Sequence, residues 1–220
     1  MSKEFIFKER NKVLEFVGNF EELYKDQEDP WHQSGCPSDM KEFYECSRKR
    51  LDDAILSINP KSLLEVGCGL GYTTQKIQNS LPNCQVTGID ISETAIKKAK
   101  EKFPNLRFIT ADIMSNSINI IGNYEIVVLN QILWYILESI DDVFLNCFKI
   151  IDQSGTIIIS QGFMSNNQDQ RYGRDICDGF DGLIIYLQNK MKDFYKIEHF
   201  DYNSSNKMRF SDGLIILKKL

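Results

Sequence analysis

The stretch Ser62-Leu-Leu-Glu65-Val-Gly67-Cys-Gly69-Leu-Gly71 decides the fold of this 220-residue chain. Its first five residues predict a short apolar strand, and the residues after Gly71 repeat apolar side chains at helical spacing. The glycines permit a tight turn and let a ligand approach the backbone, while the following helix offers unpaired amides at its N-terminus. The stretch therefore predicts a strand, a glycine loop and a helix, with a binding site at the loop.

Strands and helices continue to alternate after this unit. Such alternation predicts an α/β fold with a parallel, doubly wound sheet and helices on both of its faces. Ligands of these sheets bind beyond the carboxyl ends of the strands, near the point where the strand order reverses. We predict further strands at 84–90, 106–112, 124–130, 156–160, 194–200 and 213–220, with helices starting at Ser92 and spanning 140–151 and about 181–192.

Residues 1–60 show only helical periodicity in their apolar residues, whereas strands and helices alternate in the rest of the chain. One run starts at Val13 and ends at Tyr24, and a second starts at Met40 and is closed by Asn59-Pro60. Between them lies the turn-rich segment 28–39. The N-terminal segment therefore predicts two helices joined by a loop.

Composition narrows the function classes. The net charge of −5 gives no electrostatic case for a nucleic-acid partner. None of the six cysteines forms a CxxC pair, so we expect no metal site, and free thiols suit a reducing cytoplasm. No apolar run approaches the length of a membrane span, so we expect a cytoplasmic protein without a membrane partner.

Three carboxyl side chains stand at the ends of the first three parallel strands. Asp90 can accept hydrogen bonds from both hydroxyls of a ribose, and Asp112 can accept one from an adenine amino group. Glu65 is unsuited to a pyrophosphate, because like charges repel, but it suits an ammonium group. A ligand with a ribose, an adenine and an amino group is S-adenosylmethionine.

A dinucleotide-binding domain is the main alternative, since it shares the glycine loop and the second strand-end acid. Its G-x-G-x-x-G fingerprint would place the third glycine at Tyr72, whereas this chain has G-x-G-x-G. A nicotinamide-dependent oxidoreductase is therefore disfavoured. A protein that binds the cofactor without catalysis remains open, because intact binding residues do not distinguish it from an enzyme.

Four motifs in order carry a family resemblance: LLEVGCGLGYTT (63–74), VTGIDIS (86–92), TADI (110–113) and YEIVVLNQILWYI (124–136). They resemble the motifs of class I S-adenosylmethionine-dependent methyltransferases, over roughly residues 60–165. The resemblance implies a Rossmann-like, doubly wound, seven-stranded sheet, mostly parallel, with an antiparallel last strand. It also implies S-adenosyl-L-methionine as the cofactor.

The resemblance assigns cofactor roles to ten residues. The methionine end would lie along the glycine loop, the ribose on the second strand end and the adenine between two isoleucines. Asp112 as a simple helix cap, and the isoleucines as core residues, stay open as alternatives. The implied cofactor-binding residues are Glu65, Gly67, Gly69, Gly71, Asp90, Ile91, Asp112, Ile113, Asn130 and Gln131.

A closer likeness joins residues 22–35 with residues 127–137, which resemble the N-methyltransferases of nodulation-factor synthesis that act on an amino sugar. The helices before the core lead us to expect that residues 1–60 form a helical cap over the acceptor site and that residues 61–220 form the methyltransferase core. Trp31 and His32 would then border the acceptor, with His32 as the candidate base. The alternative is that Trp31 anchors the loop and His32 faces water.

Other residues could line the acceptor site. Tyr135 follows the fourth strand, where acceptors lie in this family, and is a second catalytic candidate. Arg171 and Arg174 could hold a phosphate or carboxylate of the acceptor, or be solvated loop charges. The resulting hypothesis is methyl transfer to nitrogen or oxygen of a small molecule, such as a sugar or phosphorylated metabolite. The sequence leaves the choice of nitrogen or oxygen and the oligomeric state open.

Overall fold

The computed structural model describes residues 3–11, 13–35, 40–115, 122–165, 170–203 and 210–220. The helices are α1 (Lys3–Ile6), α2 (Phe20–Asp26), α3 (Lys41–Ile58), α4 (Tyr72–Ser80), α5 (Glu93–Lys102), α6 (Leu133–Ile136), α7 (Ile140–Ile150) and α8 (Gly179–Lys190). The strands are β1 (Phe7–Arg10), β2 (Val13–Phe16), β3 (Ser62–Val66), β4 (Gln85–Asp90), β5 (Arg107–Thr110), β6 (Tyr124–Asn130), β7 (Ile151–Met164), β8 (Tyr195–Asn203) and β9 (Phe210–Lys219). No helix within these ranges is both long and apolar enough to cross a membrane.

Seven strands form the central sheet, in the order β5-β4-β3-β6-β7-β9-β8. β3 is parallel to β4 and β6, while β9 is antiparallel to both β7 and β8. The predicted fold, a mostly parallel sheet with an antiparallel last strand, is confirmed. The strand order reverses between β3 and β6, which opens a crevice at their carboxyl ends.

Side chains of the central strands alternate between two buried layers, as the period of a strand requires. On β3, Leu63 packs in the layer under α3 and α4, whereas Leu64 packs in the layer under α7 and α8. The same alternation places Val128 and Val127 of β6 on opposite faces. Helices therefore cover both faces, and the near-continuous apolar runs of these strands are explained.

The helix boundaries near the glycine loop agree with the sequence pattern. The Ser92 hydroxyl accepts a hydrogen bond from the Ala95 amide, which caps α5 as predicted. α3 ends where Asn59 adopts a left-handed backbone with φ of 51°, directly before Pro60. The start of α5 follows the end of β4, and the end of α3 precedes the start of β3.

The helix predicted to begin at Val13 is wrong in its first part. β1 and β2 form an antiparallel hairpin in which Phe7 pairs with Phe16, with ring centroids 5.5 Å apart. Val13 is 60% exposed, so it contributes nothing to a helical apolar face. The i, i+3 spacing of Val13 and Phe16 predicted a helix, but aromatic packing between the two strands outweighs helical propensity here. The predicted N-terminal cap is therefore partly β-structure.

β7 extends four residues past the predicted strand 156–160. Residues 161–164 pair with β9 from Phe210 to Gly213. Gln161 is 3% exposed and its side-chain oxygen accepts the Leu133 amide. A long-range hydrogen bond thus holds a polar residue inside the sheet, which a local pattern does not reveal.

Candidate functional site

A cavity of about 340 Å³ lies at the carboxyl ends of β3, β4 and β6. Its size falls at the lower end of the range for small-molecule sites. Cap residues from α2 and the following loop close one side, and α3 closes another. Eight of the ten predicted cofactor residues line it: Glu65, Gly67, Asp90, Ile91, Asp112, Ile113, Asn130 and Gln131.

The other two, Gly69 and Gly71, shape the loop instead of lining the cavity. Both have left-handed backbones, with φ of 54° and 80°. A Cβ at Gly71 would come 2.5 Å from the Phe108 ring, so a side chain here would displace the core under α5. The Gly69 amide donates to a carboxylate oxygen of Asp90 at 2.9 Å, which ties the loop to the end of β4.

Glu65 is a buried acid at the end of β3, only 2% exposed. It accepts a hydrogen bond from the Thr74 hydroxyl at 2.5 Å, and no described basic side chain forms an ion pair with it. Burial raises the pKa of Glu65 to about 7, although the hydrogen bonds from Thr74 and Asn130 oppose this rise. Such an acid can accept an ammonium group from a ligand in the cavity.

Asp90 at the end of β4 is held in place by backbone amides. One carboxylate oxygen accepts from Gly69 and the other from Ser92, each at 2.9 Å. Burial raises the pKa of Asp90 to about 6, and these amide bonds limit the rise. The carboxylate borders the cavity in a fixed orientation, as hydrogen bonding to a pair of hydroxyls requires.

The residues after β4 and β5 form a slot beside Asp90. Ile91 is 47% exposed although it is apolar, whereas Ile113 is 6% exposed and belongs to the core as well as the cavity wall. Asp112 accepts the Met114 amide at 2.8 Å in a local turn over residues 113–115. The alternative that Ile91 is a core residue is therefore wrong, whereas the choice between helix cap and adenine contact for Asp112 stays a prediction.

Gln131 follows β6 with a strained, left-handed backbone at φ of 57°. Its side chain accepts from the Gly162 amide at 2.9 Å and donates to the Ser47 hydroxyl at 3.3 Å. These bonds connect β6, β7 and α3 at the floor of the cavity. The strain is retained because three elements fix the side chain.

Two cap residues were missed by the sequence interpretation although both line the cavity. The Gln33 side chain accepts from the Leu70 amide at 2.8 Å and donates to the Cys68 carbonyl. It therefore binds the backbone of the glycine loop through two hydrogen bonds. The Tyr24 hydroxyl lies 2.5 Å from where a Cβ of Gly69 would be. Their available signal was their place in segment 22–35, next to Trp31, which also lines the cavity.

Glu21 was also missed, and it joins the cap to the start of α5. Its carboxylate accepts from the hydroxyls of Ser92 at 2.7 Å and Thr94 at 2.6 Å, and from the Thr94 amide. The hydrogen bond from Thr94, with those from Ser92, lowers the pKa of Glu21 to about 2 despite partial burial. We call these three residues the cap clasp.

The remaining wall is mostly apolar and contains one cation, with Ser47, Thr73 and Gln161 as its uncharged polar side chains. Tyr135 lines the cavity and packs against Trp31 at 5.5 Å and Phe20 at 5.4 Å between ring centroids. Burial raises the pKa of Tyr135, so it stays a neutral phenol. The cation is Arg48. Aromatic and sulfur side chains supply the rest of this wall: Met40, Phe43, Tyr44, Trp134 and Phe210.

Three predicted acceptor residues lie outside this lining. His32 is exposed, because the backbone turns there with φ of 51° and brings Gln33 inward instead. Arg171 pairs with Glu9 at 3.0 Å, and Arg174 pairs with Asp178 at 3.2 Å. The geometry does not support His32 as a base or the two arginines as acceptor ligands, since surface turns and ion pairs account for them.

In the described parts of the chain, no group of three or more His, Cys, Asp or Glu side chains is placed to bind a metal ion. The five cysteines described there are free thiols. The site thus offers carboxylates, amides and aromatic surfaces. These groups can bind and orient organic ligands.

Comparison with known proteins agrees with this geometry. Residues 64–157 match the family model described as a methyltransferase domain. The structure resembles the N-methyltransferase NodS of Bradyrhizobium japonicum WM9 in complex with S-adenosyl-L-homocysteine, with a TM-score of 0.66 and 18% identity over 91% of this chain and 98% of that one. At this identity the likeness concerns the fold, and it confirms the fold predicted from the motifs.

Curated relatives match parts of the chain. A malonyl-[acyl-carrier protein] O-methyltransferase of Ilyobacter polytropus is 33% identical over 102 residues, which is 45% of this chain and 37% of that protein. A trans-aconitate 2-methyltransferase of Acidovorax sp. is 35% identical over 54 residues, covering 24% of this chain and 21% of that protein. The chain thus matches well under half the length of these relatives.

Proposed function

We propose that this chain, whose residues 64–157 form a methyltransferase domain with the class I fold, transfers a methyl group from S-adenosyl-L-methionine to nitrogen or oxygen of a small molecule. One observation carries the proposal. Glu65, Asp90 and Asp112, at or just beyond the ends of three adjacent parallel strands, border one cavity whose opposite wall is mostly aromatic.

The buried acid of β3 supports this cofactor. Glu65 is shielded from water without a basic partner among the described residues, so an ammonium group compensates a charge that the protein leaves uncompensated. Asp90 receives the ribose hydroxyls, and Ile91 offers an exposed apolar surface to the adenine. The bound cofactor supplies a methyl group on a positively charged sulfur.

The protein's own contribution is positioning. Methyl transfer needs the acceptor atom in line with the carbon–sulfur bond, and such alignment can be worth about 7–11 kcal/mol. Tyr135, Trp31 and Phe20 form a rigid aromatic corner beside the cavity. This corner orients the acceptor and excludes water. Tyr135 acts as a positioning residue in this proposal.

The cap belongs to the same proposal. Residues 1–60 cover the acceptor site above the core of residues 61–220, and Tyr24, Trp31 and Gln33 are the cap side chains that border the cavity. The partner is a small-molecule acceptor. A reducing cytoplasm is the proposed location, which suits the free thiols of the described cysteines.

Calorimetric titration with S-adenosyl-L-homocysteine, with NADH in parallel, tests the cofactor. We expect binding of the thioether alone, and a loss of about 1–3 kcal/mol of binding free energy in Asp90→Asn, which keeps the shape but not the charge. Asp178→Asn, on the surface beside Arg174, is the matched control and should bind as the parent does.

Four outcomes separate the alternatives. Binding of NADH alone supports the oxidoreductase, and unchanged affinity in Asp90→Asn removes this residue from the site. Binding of the thioether without transfer of a labelled methyl group to any of a broad set of amines, alcohols and carboxylic acids supports a binding protein without catalysis. Transfer to one of these acceptors supports the proposed enzyme.

A further inference from the structure

The cavity is polarised between its two ends. Three carboxyl groups lie on the side of β3, β4 and β5, whereas the side formed by α3 contains a cation, Arg48. We call this second side the α3 wall; it comprises Met40, Phe43, Tyr44, Arg48, Trp134 and Phe210. Phe43 packs over Gly162 of β7, which places the wall across the switch point from Asp90.

Arg48 is half-buried, with its guanidinium carbon 5.5 Å from the centre of the Tyr44 ring. Within the described ranges no carboxylate forms an ion pair with it. Arg50, two residues further along α3, contrasts with it because it binds both Asp201 and Asp212. A partly desolvated guanidinium beside an open cavity can bind a planar anion through two parallel hydrogen bonds.

The α3 wall also contains no general base. None of its six residues is a histidine, lysine or carboxylic acid, and the neighbouring phenol of Tyr135 has its pKa raised by burial. An alcohol would need a base to become a good nucleophile. An amine would enter as an ammonium ion, which Arg48 repels. A carboxylate is already ionised at neutral pH and needs no proton removed.

We propose that the acceptor is a carboxylic acid with an apolar or aromatic body, bound as the carboxylate by Arg48 and converted to its methyl ester. This inference rests on the proposed function. A lone pair of the carboxylate oxygen forms the new bond to the methyl carbon as the carbon–sulfur bond breaks and its electron pair stays on sulfur. No proton is taken up or released.

Charge balance favours this reaction in an apolar cavity. A carboxylate and a sulfonium approach as opposite charges and leave as a neutral ester and a neutral thioether, so the transfer removes charge from a region of low dielectric. Two of the matched curated relatives have names that refer to malonyl and trans-aconitate, both of which carry carboxylates. Arg48 acts as a binding residue in this step.

Both tryptophans of the chain, Trp31 and Trp134, line the cavity, so their fluorescence reports on its occupancy. Protein saturated with S-adenosyl-L-homocysteine is titrated with benzoate and octanoate, and with benzamide and octanol as neutral counterparts. We expect the acids to bind at least tenfold more tightly than their counterparts. Arg48→Gln should abolish this preference and Arg48→Lys should retain part of it. Lys49→Gln, on the exposed face of the same helix, should match the parent.

A carboxylate could also belong to the cofactor, so the affinity for S-adenosyl-L-homocysteine is measured for each variant. Unchanged affinity in Arg48→Gln supports the acceptor role. A tenfold loss assigns Arg48 to the cofactor's carboxylate and overturns the inference while leaving the proposed function intact. Equal behaviour of acids and neutral counterparts, including no binding of either, also overturns it.

The product provides a second readout. Incubation with methyl-labelled cofactor and the same acids should give a label that mild alkali releases as methanol, as an ester requires. A weakly buffered reaction should show no release of protons with turnover. If these acids take up no label while amines or alcohols of the broad set give alkali-stable products with one proton released per transfer, the inference is wrong.

Discussion

Glu65 is the residue whose ionisation state depends most directly on whether an ammonium group is bound in the cavity. The side chain is buried beside Thr74, and the pKa near 7 means that it is largely protonated in the free protein below neutral pH. An ammonium group brought next to it stabilises the ionised form. Ligand binding and deprotonation of this residue are therefore coupled.

We expect the affinity for S-adenosyl-L-homocysteine to rise from pH 6.5 to pH 8, with a proton released on binding near pH 6.5, because the ligand selects ionised Glu65. Calorimetry in two buffers of different ionisation enthalpy measures this release. Glu65→Gln should bind more weakly and lose the pH dependence in this window. Glu101→Gln, an exposed acid on α5, should behave as the parent does. A pH-independent affinity of the parent protein would exclude the coupling.

Residue roles were predictable where a strand end determines them. Asp90 and Glu65 follow apolar runs, so their place at the carboxyl edge follows from the parallel fold alone. Their direct binding to the cofactor remains a prediction. His32 was misassigned because the direction of a side chain in a loop depends on one backbone dihedral, which turns Gln33 toward the glycine loop instead.

The cap is held on the core by α2 and its contacts with α5. The clasp of Glu21 with Ser92 and Thr94 fastens the start of α2, and Lys98 of α5 donates to the Tyr24 and Gln27 carbonyls near its end. Because Ser92 follows the cavity residues Asp90 and Ile91, movement of α2 affects the site directly.

Glu21→Ala should loosen this contact. We expect faster hydrogen exchange of the α2 amides and faster dissociation of S-adenosyl-L-homocysteine, measured by mass spectrometry and stopped-flow tryptophan fluorescence. Glu22→Ala, which removes only an exposed pair with Lys25, is the control on the same helix.

The pH range of the clasp follows from its pKa. Folding lowers the pKa of Glu21 from 4.5 to about 2, so its stabilising effect is present above pH 4.5 and lost as the pH falls toward 2. Protection of α2, corrected for intrinsic exchange, should therefore stay constant from pH 5 to pH 8. Identical exchange in the two variants would mean that the clasp does not hold the cap.

At the level of helices and strands, patterns that continue over several repeats were reliable. The pattern of the short N-terminal hairpin was not. The helix at Lys41–Ile58 and the strand at Tyr124–Asn130 occur where periodicity and apolar runs predicted them. The β1–β2 hairpin was missed because four-residue strands carry too few periods to distinguish from a helical turn. Its formation depends on aromatic partners outside the hairpin, including Tyr135 and Tyr172.

The fold of the whole molecule buries two carboxyl groups and so disfavours their negative charge. Folding raises the pKa of Glu65 from 4.5 to about 7 and that of Asp90 from 3.8 to about 6, in both cases chiefly through burial. Their contribution to stability is fully present below the lower, unfolded values and is lost as the pH rises through the folded values. The free protein should therefore lose stability between about pH 4.5 and pH 7.5.

Urea denaturation across this range measures the effect. Glu65→Gln should flatten the decline and raise the free energy of unfolding at pH 8 by roughly 1–3 kcal/mol while weakening the ligand. Saturating S-adenosyl-L-homocysteine should stabilise the parent most at the alkaline end. A variant less stable than the parent at pH 8 would show that Thr74 and Asn130 outweigh the burial of the charge.

The sequence by itself determined the order of strands and helices after residue 60, the doubly wound sheet and the strand ends where carboxyl groups meet. These features depend on local periodicity and on the handedness of β-α-β units, which act over short stretches of chain. Only the tertiary structure decided that Gln33 binds the glycine loop, that Glu21 binds the start of α5 and that Arg48 lines the cavity. It also decided that His32, Arg171 and Arg174 lie outside the cavity lining. The cap is joined to the core by contacts between residues up to 162 positions apart in the chain, and no local pattern encodes which side chains such contacts turn inward.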